Sequence, residues 1–149
     1  MNKKALFSGT FDPFTIGHYA LIKRALQFAD EIIIAIGINA EKKTMFSLEE
    51  RMDNIQKIYA EEKQVKVTSY DILTVDYAKK AGVDFILRGV RNISDFEYEK
   101  SMADINRKLS GIETVFLFSE PEYGYISSSL VRELIHHKKD ISNLIPNIK

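Results

Sequence analysis

The sequence predicts an α/β fold in which five strands form a doubly wound parallel sheet. Short apolar runs alternate with segments of helical periodicity, which is the pattern of repeated βαβ units. The clearest strand, residues 32–38, is apolar at almost every position, as expected for a strand covered on both faces. A chain of 149 residues has the usual length of one domain, and we expect a single domain over residues 1–149.

Each element can be assigned from its pattern. The predicted strands are residues 5–8, 32–38, 65–69, 85–87 and 115–118. Ser47 with Glu50, and Ser94 with Glu97, have the spacing of capping boxes and predict the starts of two helices. Gly82 fits the position just after a helix end. A last helix carries the apolar residues 130, 131, 134 and 135, and residues 140–149 are expected to form a surface tail or a short helix.

Composition limits the classes of function. Lysine plus arginine equals aspartate plus glutamate at 21 each, so no global charge favours nucleic acid or a membrane, and any anion site must be local. The absence of cysteine excludes disulfides, zinc–thiolate sites and thiol nucleophiles, and it agrees with a reducing cytoplasm. The first apolar run is too short for a signal peptide, and no segment approaches the length of a membrane span. We therefore expect a cytoplasmic protein.

The segment G-T-F-D-P-F-T-I-G-H at residues 9–18 is the most informative in the chain. It joins the first strand to an amphipathic helix, and Gly9 would allow a sharp turn close to a ligand. Thr15 and His18 fall near the first helical turn, where free N–H groups and the helix dipole favour phosphate. A lone histidine there usually packs or caps, so the interpretation depends on the surrounding residues.

Residues 88–91, at the end of the fourth predicted strand, are expected to lie close to this turn. In a Rossmann-like strand order 3-2-1-4-5, ligands bind where the order reverses, between the carboxyl ends of the first and fourth strands. The first strand ends at residues 9–10 and the fourth at residues 88–91, with the sequence R-G-V-R. Arg88 and Arg91 offer guanidinium groups that recognise phosphate oxygens in pairs. Glu99, in the following helix, could fix an arginine or a ribose hydroxyl.

Two further segments carry groups that bind anions. Y-G-Y-I-S-S-S at residues 123–129 follows the fifth strand, and its three serines exceed what one helix cap needs. With exposed N–H groups they would form a second phosphate cradle. Lys42 and Lys43 lie on the polar loop after the second strand, and the residues alone separate these two lysines poorly.

These segments together resemble a known family. Residues 9–18 resemble the T-x-G-H signature of the nucleotidyltransferase superfamily, and the longer form G-T-F-D-P-x-T-x-G-H resembles the phosphopantetheine adenylyltransferases in particular. I-S-S-S at residues 126–129 and the lysine-bearing segment 42–51 are similar to further motifs of that family, in the same order. The resemblance covers nearly the whole chain. It implies the nucleotidyltransferase fold.

The resemblance also implies an activity. The chain would transfer AMP from ATP to 4′-phosphopantetheine, giving 3′-dephospho-coenzyme A and pyrophosphate in coenzyme A biosynthesis. It would use Mg²⁺ bound mainly by nucleotide phosphates and water, with no metal ligand assigned to the chain. It would assemble as a homohexamer.

Site residues carry over by position. Thr10, Lys42, Thr74 and Arg88 would bind phosphopantetheine. The nucleotide site would comprise Thr10, Phe11, His18, Gly89, Val90, Arg91, Glu99, Tyr123, Gly124, Tyr125, Ile126, Ser127, Ser128 and Ser129. For catalysis, the hypothesis is that His18 hydrogen-bonds the α-phosphoryl group while Lys42 and Arg91 add positive charge. Tyr123 stands where some relatives carry tryptophan, and His136 and His137 receive no catalytic role.

Two other functions stay open at this point. One is a related nucleotidyltransferase that uses CTP or nicotinamide mononucleotide. The other is a nucleotide-binding module without turnover, which the presence of the histidine, the lysine and both arginines disfavours. A P-loop or dinucleotide oxidoreductase is disfavoured because neither a Walker A sequence nor G-x-G-x-x-G occurs.

Overall fold

The sheet confirms the predicted architecture. The computed structural model describes residues 2–147. Five parallel strands lie in the order β3-β2-β1-β4-β5. They are β1 (Lys4–Gly9), β2 (Glu31–Gly37), β3 (Val65–Tyr70), β4 (Phe85–Val90) and β5 (Glu113–Phe118). The chain builds the sheet from β1 to one edge, then returns past β1 and continues to the other edge, so the order reverses between β1 and β4.

Helices cover both faces of the sheet. They are α1 (Ile16–Ala25), α2 (Leu48–Ile58), α3 (Thr74–Ala81), α4 (Ile93–Ser110) and α5 (Ser128–His136), with a 3₁₀ turn at Pro121–Tyr123. Neighbouring residues of β1 belong to different apolar clusters: Phe7 packs in the cluster that contains Ile22 of α1, and Leu6 in the cluster that contains Ala78 of α3. This alternation follows from the two-residue period of a strand, and it explains why β1 and β2 are apolar throughout.

Two helix ends are as predicted and one is not. Ser47 and Glu50 form the capping box at the start of α2. Gly82 ends α3 in the left-handed conformation, at φ 68°. The predicted box at Ser94 and Glu97 is wrong, because α4 begins two residues earlier than that box requires. Asn92 is its N-cap, and the Asn92 side chain accepts the N–H of Asp95 at 2.9 Å. Asparagine is as good a cap as serine and lies directly after the turn that leaves β4.

The segment after α5 folds back onto the start of α1. The carbonyl oxygen of Leu144 accepts the N–H of Ile16 at 2.8 Å. Ile141 and Ile145 lie with Pro13 around a cavity of about 360 Å³ behind the β1–α1 turn. The expected surface tail is therefore packed, as far as residue 147; residues 148 and 149 lie outside the described range. Within residues 2–147, no helix is both long and apolar enough to cross a lipid bilayer.

Candidate active site

A cavity of about 420 Å³ opens at the carboxyl edge of the sheet, where the strand order reverses. Its walls come from the ends of β1 and β4, the first turns of α1 and α5, the loop after β2 and one face of α4. Four segments that are distant in the sequence thus meet at one crevice, at the place where open α/β sheets bind ligands.

Most of the predicted site residues line this crevice. They are Thr10, Phe11, His18, Lys42, Arg88, Gly89, Arg91, Glu99, Tyr123, Ile126, Ser127, Ser128 and Ser129. The same walls include residues that the sequence did not single out as ligand contacts, namely Asp12, Asp95, Ser119 and Arg132. Of these, Arg132 had a usable signal, since it lies three residues after Ser129 on one helix face.

Four predicted residues lie outside the walls of the crevice, as far as the described chain shows. Val90 is buried in the core, and its carbonyl oxygen accepts the N–H of Ser119 at 2.9 Å. Gly124 and Tyr125 belong to the loop before α5, where the Tyr125 side chain points into solvent with 66% of its surface exposed. Thr74 begins α3 beyond the edge of the crevice, and its hydroxyl is hydrogen-bonded to that of Tyr70 at 2.8 Å.

The turn after β1 is shaped by Phe11 rather than by Gly9. Phe11 is the residue with a positive φ, at 51°, whereas Gly9 is the last residue of β1. A Cβ at Gly9 would come within 3.0 Å of the Phe11 ring. The glycine is therefore needed because it leaves room for that ring, and the expectation of a sharp turn at Gly9 itself is wrong.

His18 is both a cap and a wall of the crevice. Its Nδ1 accepts the N–H of Thr15 at 2.9 Å, and its own N–H is donated to the Thr15 hydroxyl at 3.3 Å. The imidazole packs against the rings of Phe7, Phe11 and Phe14. With Nδ1 acting as an acceptor, the proton of the neutral ring resides on Nε2. The Nε2–H group of His18 is therefore a hydrogen-bond donor.

The electrostatic surroundings keep that ring neutral. Burial, followed by the positive charges of Arg88 and Arg91, lowers the pKa of His18 to about 3. The imidazole and both guanidinium groups line the same crevice. At neutral pH, His18 is consequently a neutral Nε2–H donor beside two fixed cations.

Arg88 is held by three hydrogen bonds. Its Nε and Nη2 donate to the carboxylate of Glu99 at 2.8 and 2.6 Å, and its Nη1 donates to the carbonyl oxygen of Ser8 at 2.6 Å. Burial by itself lowers the pKa of Arg88, but the hydrogen bond and charge of Glu99 outweigh burial, so the pKa lies above its ordinary value. Of the two roles considered for Glu99, the structure shows the one that fixes an arginine.

Arg91 is held less firmly. Its Nε lies 3.2 Å from the Asp95 carboxylate, which also accepts the Arg91 backbone N–H at 3.2 Å. Four of its five guanidinium N–H donors stay available in the described structure, because this contact uses only Nε.

Lys42 lies on the loop after β2, on the other side of β1 from the end of β4. Its Nζ donates to the Thr10 hydroxyl at 3.1 Å. Lys42 lines the crevice, and Lys43 is not among the wall residues found over the described range. The geometry therefore favours Lys42 over Lys43 as the lysine that meets an anion.

The three serines have three different partners. Ser127 caps α5 by accepting the N–H of Leu130 at 3.1 Å. Ser128 donates its hydroxyl to the carbonyl oxygen of Pro13 at 2.8 Å, and Ser129 accepts from Arg132 at 3.1 Å. The hydroxyls are thus engaged within the protein. Helical residues in the first turn have no intrahelical acceptor, so the backbone N–H groups of Ser128 and Ser129 stay available as donors in the described structure.

Comparison with known proteins gives a consistent result. The cytidylyltransferase-like family model matches residues 6–134. The phosphopantetheine adenylyltransferase of Bacteroides fragilis is 55% identical over 144 residues, covering 97% of this chain and 96% of that protein. The protein of the same name from Bacteroides thetaiotaomicron is 56% identical, covering 97% of this chain and 95% of its own length.

Solved structures agree in fold at low sequence identity. A bifunctional NMN adenylyltransferase/ADP ribose pyrophosphatase from Francisella tularensis, complexed with AMP and a manganese ion, superposes with a TM-score of 0.70. It is 18% identical, and the match covers 97% of this chain and 44% of that one. A putative nicotinate-nucleotide adenylyltransferase from Vibrio parahaemolyticus gives a TM-score of 0.65 at 18% identity, covering 99% and 95% of the two chains.

Proposed function

We infer the function of this chain from the family to which it belongs, the phosphopantetheine adenylyltransferases within the cytidylyltransferase-like family. It is an enzyme that transfers AMP from ATP to 4′-phosphopantetheine and releases pyrophosphate, a step of coenzyme A biosynthesis. The observation that carries this inference is an identity of about half of all residues over nearly the full length of several relatives of that name.

The reaction suits a crevice without a protein nucleophile. A phosphate oxygen of phosphopantetheine attacks the α-phosphorus of ATP, a new P–O bond forms, and the bond to the β-phosphate breaks as pyrophosphate leaves. Both reactants are anions, so catalysis consists of holding them in line and stabilising charge at the α-phosphoryl group.

We propose the following division of labour. The Nε2–H of His18 donates to the α-phosphoryl oxygen in the transition state, and Arg91 adds positive charge. Thr10 and Lys42 hold the phosphate of phosphopantetheine. The N–H groups of Ser128 and Ser129 bind the ATP phosphates. The support is that these groups line one crevice and that His18 is a neutral donor at the working pH.

We propose that Mg²⁺ arrives with the triphosphate. The carboxylates of the crevice are already engaged: Asp12 binds backbone N–H groups, Asp95 pairs with Arg91, and Glu99 pairs with Arg88. Over residues 2–147, no group of three or more acidic or histidine side chains is arranged to hold a metal. When bound, the ion would offset the negative charge of the phosphates. Chelation should then stop turnover without lowering the melting temperature of the free protein.

The decisive assay measures pyrophosphate release with purified protein. We expect release only when ATP and 4′-phosphopantetheine are both present. CTP in place of ATP, and nicotinamide mononucleotide in place of phosphopantetheine, should give little product. Release with either replacement would indicate a related nucleotidyltransferase, and nucleotide binding without release would indicate a binding module.

We also propose that copies of the chain associate, because the resemblance to the family implies a homohexamer. The support is an apolar stripe on α4, formed by Tyr98, Met102, Ile105 and Leu109 at helical spacing, whose side chains are exposed in the single chain. Contiguous exposed apolar surface of this kind typically marks an interface.

We propose a cytoplasmic location on chemical grounds. The reaction consumes ATP, which the cytoplasm supplies, and a sequence without cysteine has no need of an oxidising compartment. Fractionation of cells followed by the pyrophosphate assay tests this location.

A further inference from the structure

Asp12 is a buried carboxylate in the centre of the β1–α1 turn. Only 3% of its surface is exposed, although it belongs to the wall of the crevice. Its Oδ1 accepts the backbone N–H of Phe46 and its Oδ2 that of Met45, both at 2.9 Å. Both oxygens are therefore used to hold another segment of the chain.

That segment is the loop that carries Lys42. Residues 38–43 are exposed. Apart from the bond from Lys42 to Thr10, the hydrogen bonds found for residues 39–44 in the described chain stay within the loop and its own end. The bonds from Asp12 follow directly after this exposed stretch. They fix the loop where it returns to the protein.

Hydrogen bonds from Arg51 also join the β1–α1 turn to this loop. Arg51, at 8% exposed, donates from Nη1 to the carbonyl oxygen of Thr10 at 2.8 Å and from Nε to that of Phe46 at 3.1 Å. Turn and loop are thus joined at Thr10–Lys42, Asp12–Met45 and Asp12–Phe46, and through Arg51. The Thr10 hydroxyl and the Lys42 ammonium group face a ligand as a preassembled pair.

We propose that Asp12 is a positioning residue that acts through Lys42 by fixing this loop, and that it is neither a metal ligand nor a general base. The proposal rests on the function inferred above. A carboxylate near a bound triphosphate could in principle bind a metal ion or act as a general base. Each oxygen of Asp12, however, already accepts a charge-assisted hydrogen bond from the backbone. Fixing the loop in advance removes the cost of ordering Lys42 when the phosphate binds.

The first test is a double-mutant cycle on kcat/KM for 4′-phosphopantetheine. Asp12→Asn leaves one oxygen for two N–H donors and turns an NH₂ group toward the other. We expect a loss of roughly 10- to 100-fold, as for a hydrogen bond to a charged group. In a Lys42→Ala background, the same change should cost little more, because the residue it positions is gone. An equal loss in both backgrounds would overturn the proposal.

The second test measures the opening of the loop directly and does not depend on catalysis. Trypsin cleaves after lysine, so the cutting rate after Lys42 and Lys43 in the native protein, located by mass spectrometry, reports loop opening. We expect faster cutting in Asp12→Asn and an unchanged rate in Asp84→Asn. The control is matched, because Asp84 also accepts a backbone N–H, that of Lys4 at 2.8 Å, at the other end of the sheet. Wild-type cutting in Asp12→Asn would overturn the proposal.

A third variant covers the case in which Asp12→Asn does not fold. Met45→Pro removes the N–H that Oδ2 accepts while leaving the carboxylate, and Met45 is 43% exposed. We expect faster loop cutting and lower kcat/KM. A metal ligand or base would be freed by this change, so undiminished activity would overturn the proposal. If the wild-type protein released no pyrophosphate, the inferred function would fail instead, and the proteolysis result would still decide whether Asp12 fixes the loop.

Discussion

His18 combines two roles that sequence reasoning treats as alternatives. Its Nδ1 closes the capping box with Thr15, and this bond leaves Nε2 as the protonated nitrogen. The three phenylalanine rings around it restrict the orientation of the imidazole. Capping is therefore the means by which the donor is oriented toward the crevice.

Replacing His18 by alanine should affect turnover more than binding. If Nε2–H stabilises mainly the transition state, kcat should fall by roughly 10²- to 10³-fold, corresponding to about 2.7–4 kcal/mol. The dissociation constant for ATP, measured by calorimetry, should change by only a few-fold. His137→Ala is the control, because His137 is exposed and pairs with Glu133 on α5. Equal losses in kcat and in ATP affinity would contradict a transition-state role.

The pKa of His18 also predicts how stability depends on pH. The folded protein has a pKa of about 3 at this residue, against 6.5 in the unfolded chain. Between those values the unfolded chain binds more protons, so the His18 contribution is present above pH 6.5 and is lost as the pH falls. At about pH 5 the loss should approach about 2 kcal/mol.

Urea unfolding at about pH 7.5 and about pH 5 measures this effect. We expect the free energy of unfolding of the wild type to fall more between the two conditions than that of His18→Gln. Parallel losses in the two proteins would show that the imidazole is not held neutral.

Among the elements, α1 and α5 differ in how many N–H groups they offer to an anion. At the start of α1, Ile16 donates to Leu144 and His18 to Thr15, so Gly17 supplies the N–H that stays available in the described structure. At the start of α5, Ser128 and Ser129 both present theirs. The sequence predicts a phosphate cradle at each of these two helix starts, and the structure makes the start of α5 the richer donor site.

The N-cap of α4 gives a prediction that separates two neighbouring residues. Asn92→Ala should lower the free energy of unfolding by about 1 kcal/mol, because the N–H of Asp95 loses its acceptor. Ser94→Ala is the matched control and should be nearly neutral, since Ser94 lies inside the first turn. Urea unfolding at neutral pH measures both changes. A larger loss for Ser94→Ala would restore the capping box predicted from the sequence.

The parallel sheet could be predicted because it depends on patterns that the sequence displays directly, and the position of the crevice followed once a Rossmann-like strand order was assumed. Alternating apolar runs indicate parallel β–α units, and parallel strands bring their carboxyl ends to one edge. What failed depended on details that a pattern does not encode. Asn92 and Ser94 are equally good caps, and the sequence does not show which of them begins α4. The roles predicted for Val90 and Tyr125 stay predictions, and their places outside the crevice walls depend on strand pleat and loop path. The contact of Asp12 with residues 45 and 46 joins segments whose pairing only the folded chain reveals.

The exposed face of α4 predicts association of whole chains. Light scattering at micromolar concentration should give a mass well above 17.1 kDa for the wild type and a smaller mass for Tyr98→Glu, because Tyr98 is 65% exposed in the apolar stripe. Gln56→Glu adds the same charge to an exposed polar position on α2 and should leave the mass unchanged. A monomeric wild type would contradict the proposed assembly.

The contact between Leu144 and Ile16 has a practical consequence for attachment chemistry. A reporter or solid support attached close to Leu144 would crowd this contact at the start of α1. A reporter attached ahead of β1 would lie at the amino edge of the sheet, remote from the crevice. At that edge the backbone N–H groups of Lys3 and Lys4 donate to the carboxylates of Asp30 and Asp84. Immobilisation for ligand-binding measurements should therefore use the side of the molecule where β1 begins.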